Sequence, residues 1–122
     1  MPAILVLDDS ATIIMSLSRI LKNAGYQVDT AVNGKEGMAK LAGGLKPNII
    51  LTDLNMPQMD GIAFIKEARK SASTRFTPII VLTTESGTQK RDEARVAGAS
   101  GWLTKPTEPE QLLSALKQLL PK

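Results

Sequence analysis

Short runs of consecutive apolar residues alternate along this chain with stretches whose apolar positions fall three and four apart. Ala3 to Leu7 is such a run, and it ends at Asp8-Asp9. From Ser10 the period changes: Ile13, Leu17, Ile20 and Ala24 share one helical face, with Ile14 and Leu21 beside it. Asp9 or Ser10 can cap that helix and Gly25 ends it. Tyr26 to Ala31 predicts a second strand. Asn33 opens another helix with Glu36 as its capping-box partner, and Gly43-Gly44 and Pro47 break it. Asn48 to Asp53 predicts the third strand, apolar on both faces until it stops at an aspartate.

Asp60 or Gly61 starts a helix that carries Ile62, Ile65 and Ala68. Pro78 leads into a fourth strand, Ile79 to Leu82, which ends at Thr83-Thr84. Ser86 to Ala97 predicts a helix with a thin apolar side of Ala94, Ala97 and Val96, closed by Gly98. Few packing contacts make such a helix cheap to shift. Gly101 to Thr104 predicts the fifth strand, followed by Lys105-Pro106 and a capping box from Thr107 to Glu110. Leu112, Leu113, Leu116, Leu119 and Leu120 form the inner stripe of the last helix.

A strand followed by a helix, five times over, predicts one α/β domain: a doubly wound five-stranded parallel sheet with helices on both faces and right-handed crossovers. The strand order 2-1-3-4-5 comes with the flavodoxin-like class of such sheets rather than from the residues. The 122 residues, 43% of them apolar and 22% charged, suit a single folded domain spanning 1–122. With no cysteine and no histidine, thiolate sites, imidazole bases and the usual zinc sites are excluded, and a metal would need oxygen ligands. The first apolar run is too short for a signal segment, and none approaches spanning length, so the expected location is the cytoplasm, without membrane contact. The net charge of +3 is spread along the chain, which argues against nucleic acid as the partner.

In open parallel sheets, ligands bind just beyond the strand ends, at the point where the strand order reverses. In the order above, strands one and three are neighbours there, so Asp8, Asp9 and Asp53 would share one pocket. Like charges so close require a cation, and magnesium suits three carboxylates. Thr83 and Lys105 would bring a hydroxyl and an ammonium to the same rim. A carboxylate nucleophile, a divalent cation and a lysine are the parts needed to transfer a phosphoryl group to an aspartate. Each residue alone has an ordinary reading: Asp8-Asp9 as a helix cap, Asp53 as a turn former, Thr83 as a strand end, Lys105 as a solvated loop residue. Their convergence on one rim favours chemistry.

Those residues resemble the response-regulator receiver family, of the stand-alone chemotaxis type. The resemblance rests on Asp8-Asp9, on Asp53-Leu54-Asn55-Met56-Pro57 with Met59-Asp60-Gly61, on Thr83, and on Gly98-Ala99-Ser100-Gly101 leading to Lys105-Pro106. It spans essentially the whole chain. The resemblance implies that Asp53 accepts a phosphoryl group from a sensor histidine kinase. It implies that Asp9 binds magnesium directly, Asp8 largely through water, and Asn55 through its backbone carbonyl. Thr83 and Lys105 would contact phosphoryl oxygens, and the Lys105-Pro106 peptide would be cis. Trp102 would be the switch aromatic, where tyrosine or phenylalanine is more usual, and Thr107 stands where many chemotaxis members carry phenylalanine. Asn55 and Glu85 flank the path of attacking water and would tune the phosphoryl lifetime.

With the chain ending soon after the last helix, the expected signal is a change in partner binding by a monomer. The expected target is a protein such as the flagellar motor switch, and the protein is not a conventional enzyme. A phosphorelay intermediate or a phosphate sink is the alternative. A magnesium phosphatase would usually place a second acid two residues after the nucleophile, where Asn55 stands. A nucleotide or flavin site would need a glycine-rich loop after the first strand, where Asp8-Asp9 would repel phosphate.

Overall fold

A computed structural model describes residues 2–85 and 87–120. Five strands and five helices alternate: β1 (Ala3–Leu7), α1 (Ala11–Asn23), β2 (Gln27–Ala31), α2 (Gly34–Ala42), β3 (Ile49–Thr52), α3 (Gly61–Lys70), β4 (Ile79–Thr83), α4 (Thr88–Ala97), β5 (Gly101–Thr104) and α5 (Pro109–Leu119). All neighbouring strands are parallel, in the order β2-β1-β3-β4-β5. The predicted flavodoxin-like arrangement is therefore the observed one.

Alternation along the strands splits the core into two layers. Leu5, Leu7, Ile50, Ile79 and Val81 face one side, with Leu41 of α2, Phe64, Ile65 and Ala68 of α3, and Ala94 of α4. Ile4, Val6, Ile49, Leu51, Ile80 and Leu82 face the other, with Leu17 and Leu21 of α1 and Leu112 and Leu116 of α5. β3 and β4 are buried from end to end and β1 from Ile4 onward, which is why they read as apolar runs.

The predicted caps hold at three helices. Ser10 accepts the Ile13 amide and Asp60 accepts the Ala63 amide. Asn33 accepts the Glu36 amide, while the Glu36 carboxylate reaches back to the amide of Val32 rather than to that of Asn33. Two expectations are corrected. Val96 does not join the apolar side of α4; it is 79% exposed. At about 100° per residue it lies roughly 200° around the helix from Ala94, which is buried. The capping box from Thr107 to Glu110 does not form. Pro109 takes the first helical position, Glu108 becomes the cap residue, and Thr107 sits one residue too early, its hydroxyl bonded to Gln111. Helix α4 begins at Thr88 rather than at Ser86, which lies outside the described residues; its cap residue Gly87 makes no side-chain bond.

Sequence pattern gave no sign of the role of Arg69, at the end of α3. Its guanidinium donates to the carbonyls of Thr74, Arg75 and Thr77 in the following loop, and twice to that of Gly98 after α4. Burial pulls its pKa below the ordinary arginine value. One cation thus satisfies four carbonyls and ties α3, the α3–β4 loop and the end of α4 into one block. Removing the donors strands acceptors that water reaches poorly, which costs about 1 to 3 kcal/mol for each well-buried group.

Two stability predictions follow from this scaffold. Arg69→Leu is expected to lower unfolding stability by about 3 kcal/mol in urea titration, because donors are lost and nothing replaces them. Gln58 has φ +68°, and the Met59 amide closes a tight turn around it onto the Pro57 carbonyl at 2.7 Å. A non-glycine residue there costs about 1 to 2 kcal/mol, more than the roughly 0.5 to 1 kcal/mol of extra chain entropy a glycine loses on folding. Gln58→Gly is therefore expected to raise stability slightly, by about 0.5 kcal/mol or more in the same titration.

Candidate functional site

The ends of β1 and β3 lie side by side, with Leu7 opposite Thr52, so the residues that follow them are neighbours. The Asp53 amide continues the ladder by donating to the Leu7 carbonyl at 2.9 Å, and the Asp8 amide does the same to the Ala31 carbonyl at 3.0 Å. Asp8 is 2% exposed and Asp53 9%, whereas Asp9 is open to solvent at the head of α1. Carboxylate oxygens of all three lie within 4.8 Å of one another.

Two such acids cannot share a buried pocket without compensation. Here Lys105 supplies it. Its ammonium sits 2.5 Å from Asp8 Oδ2 and 3.4 Å from Asp53 Oδ2. The remaining oxygens are met by backbone: the Ser10 amide donates to Asp8 Oδ1 at 2.9 Å and the Leu54 amide to Asp53 Oδ1 at 2.7 Å. Lys105 is brought there by the end of β5. Its amide donates to the Thr83 carbonyl at 2.8 Å, and its peptide bond to Pro106 is cis.

The loop after Asp53 turns back sharply. The Gly61 amide donates to the Leu54 carbonyl at 2.9 Å, and α3 begins against the Asp53 backbone. A Cβ on Gly61 would fall 2.2 Å from the Asp53 carbonyl oxygen, so only a glycine permits this approach. Asn55 is exposed on the outward side of the same loop, and Leu54 and Met56 anchor it in the core.

Thr83 is fully buried at the end of β4, and its hydroxyl accepts the Glu85 amide at 3.3 Å. Trp102 is half-buried on β5; it packs against the α3 and α4 side of the core and donates from its indole N–H to Thr104 Oγ1 at 3.3 Å. The chain therefore brings Asp8, Asp9, Asp53 and Lys105 into one cluster, with Asn55 on its rim. Thr83, Glu85 and Trp102 extend from that cluster toward α4. Gly61, which allows the loop to close on Asp53, was not among the predicted site residues. Its signal was present in the Asp60-Gly61 pair, which reads first as a helix start.

The donor set fits magnesium. An octahedral ion with bonds of about 2.1 Å spaces its ligand oxygens roughly 3 Å apart when adjacent and 4.2 Å when opposite. Three carboxylates within 4.8 Å need only small side-chain rotations to reach that geometry.

Comparison with known proteins gives the same answer. The response regulator receiver domain signature matches residues 4–117. Protein PilG of Pseudomonas aeruginosa is 36% identical over 118 residues, covering 97% of this chain and 87% of its own. The solved structure of the chemotaxis protein CheY4 of Vibrio cholerae superposes with a TM-score of 0.93 at 43% identity, covering 98% and 99% of the two chains. The receiver domain of the sensor histidine kinase PA1611 from Pseudomonas aeruginosa, solved with magnesium coordinated in its active-site cleft, superposes with a TM-score of 0.88 at 26% identity over 97% and 96%. A carboxylate cluster met by one lysine at the switch point of a 2-1-3-4-5 sheet, in a chain matched along almost its whole length, places this protein in the response regulator receiver domain family.

Proposed function

We propose that this chain is a magnesium-dependent phosphoacceptor switch, in which Asp53 takes the phosphoryl group of a phosphohistidine on a sensor histidine kinase. The observation that carries this reading is Lys105 held between Asp8 and Asp53, with Asp9 beside them. In the transfer, an Asp53 carboxylate oxygen bonds to phosphorus, the bond from phosphorus to the imidazole nitrogen breaks, and the imidazole leaves as its neutral form after taking a proton. Asp8, Asp9, Asp53 and the Asn55 carbonyl would hold the cation. When bound, magnesium would supply positive charge to offset the charge on the transferring oxygens.

Lys105 already spans two of the carboxylates, so it can exchange its contact with Asp53 for one with a phosphoryl oxygen over a short distance. Thr83 has further to go. Its hydroxyl must leave the Glu85 amide to meet a phosphoryl oxygen, and that exchange would loosen the β4–α4 loop. Trp102, packed against the same side of the core as Ala94, would report or follow that movement. Asn55 and Glu85 flank the acid cluster and would tune the lifetime of the aspartyl phosphate. The chemistry ends with hydrolysis of the protein's own phosphoryl group rather than with turnover of a free substrate.

The similarity to the chemotaxis protein CheY4 supports chemotaxis-type signalling; the target in this reading is a motor switch protein, met by a monomer. A relay or sink role would show itself as phosphoryl return to a histidine partner without state-dependent binding. Among the described residues, no helix is long and apolar enough to cross a membrane.

Incubation with magnesium and a small acyl phosphate should add one phosphoryl mass, read by intact-protein mass spectrometry. The gain should vanish in Asp53→Asn and on chelation; an equal gain in Asp53→Asn would reject the reading. Lys105→Met separates binding from chemistry. Removing a positive charge this close to the carboxylates should tighten manganese binding by about tenfold, since the ammonium competes with the divalent cation. The same change should slow phosphorylation at saturating metal. Weaker metal binding in Lys105→Met would contradict the role given to the lysine.

A further inference from the structure

The short turn from Ala31 to Gly34, between β2 and α2, is joined through its backbone both to Asp8 and to the loop that follows Asp53. At its start the Ala31 carbonyl accepts the amide of Asp8 at 3.0 Å. At its end the Gly34 amide donates to the Met59 carbonyl at 3.0 Å. Met59 belongs to the loop that carries Asn55 and returns to Gly61. The turn itself is rigidly braced. Asn33 is buried and accepts the Glu36 amide at 2.8 Å, and the Val32 amide donates to Glu36 Oε1 at 3.2 Å.

The contact at Gly34 leaves no room for a side chain. A Cβ there would lie 2.7 Å from the Met59 carbonyl oxygen, 2.8 Å from Met59 Cγ and 3.0 Å from Met59 Cβ. Helix α2 cannot retreat to make space, because Gly37, one turn on, already lies against Leu7 and Phe64 in the core. Any bulk at position 34 must therefore move the Met59 loop.

We infer that Gly34 is a positioning residue for the cation: the Ala31–Gly34 turn is a bracket that sets the separation between the Asp8 arm and the Asn55 arm of the metal site. The inference rests on the magnesium reading above and adds to it a residue that touches no metal ligand's side chain. It matters because magnesium tolerates little departure from octahedral geometry at about 2.1 Å, so displacing one arm by an ångström removes a ligand. A bracket that served only stability would leave metal affinity unchanged once the protein had folded.

Manganese is the probe, measured by electron paramagnetic resonance on the full chain. Gly34→Ala is expected to bind it about tenfold more weakly while keeping its circular dichroism spectrum. Its magnesium requirement for acyl-phosphate labelling should rise by the same factor, with the rate at saturating metal little changed. Gly43→Ala, at the far end of the same helix, should bind as the parent does. Met59→Gly in the Gly34→Ala background removes the Cβ and Cγ obstacles and lets the turn re-aim its carbonyl, so affinity should largely recover.

A second measurement needs no variant. Coupling is reciprocal, so saturating magnesium should slow hydrogen exchange at the Gly34 amide of the parent protein and leave the Ser100 amide, at the opposite end of the sheet, unaffected. Parent-like manganese affinity in a folded Gly34→Ala, or a Gly34 amide indifferent to magnesium, overturns the inference. A parent protein that binds no manganese overturns the magnesium reading itself and is recognised before any variant is made.

Discussion

The structure depends on bringing carboxylates together where two buried strands end. Asp8 and Asp53 are 2% and 9% exposed, and burying a carboxylate is costly unless a partner meets it. Lys105 supplies the opposite charge, and the Ser10 and Leu54 amides take the remaining oxygens. The same carboxylates are spaced closely enough to hold a cation. Lys105 is the single strap across two acids, while Asp9 stays open to solvent beside them. In the proposed function, a divalent ion and a phosphoryl group would share the charge that Lys105 and the carboxylates now balance between them. The sheet makes that possible, because its rigid strands fix where the backbone of each acid lies.

Most of this was legible in the sequence for a definite reason. A buried parallel strand is an apolar run, so a charged residue at its end stands out, and Asp8 and Asp53 stand out in this way, whereas Lys105 follows a partly exposed edge strand. Once the strand order is known, adjacency of the ends follows. What stayed hidden depends on contacts between segments that share no local pattern. Nothing in the residues around Arg69 marks it as the donor to four carbonyls, because carbonyls belong to every residue and leave no trace in sequence. Gly61 reads first as a helix start and Gly34 only follows the Asn33 cap, and the close approaches to Asp53 and Met59 that require them exist only in three dimensions.

The two corrections have the same character. The capping box predicted at Thr107 was a correct pattern in the wrong phase, because Pro109, with its fixed backbone angle, set where α5 begins. Val96 was counted toward the core by its chemistry, although its angular position on α4 turns it outward. In each case a residue type was read correctly and a geometric constraint a few positions away decided its place.

Helix α4 gathers these features into a device. Its far end is held through Gly98 by Arg69, while its near end has no side-chain cap and follows directly from the loop whose Glu85 amide is bonded to Thr83. Between them, Ala94 is its one buried side chain among the described residues. Such a helix is fastened at one end only. A charge-assisted hydrogen bond to a phosphoryl oxygen is worth about 1.5 to 3 kcal/mol, which is too little to rearrange a well-packed helix. It is enough to bias one that buries a single alanine and gives up one long 3.3 Å bond at its entrance. The weakness of α4 and the tightness of the acid cluster are thus complementary: under the proposed switch, a small energy delivered through Thr83 would reach a helix with little packing to hold it in place.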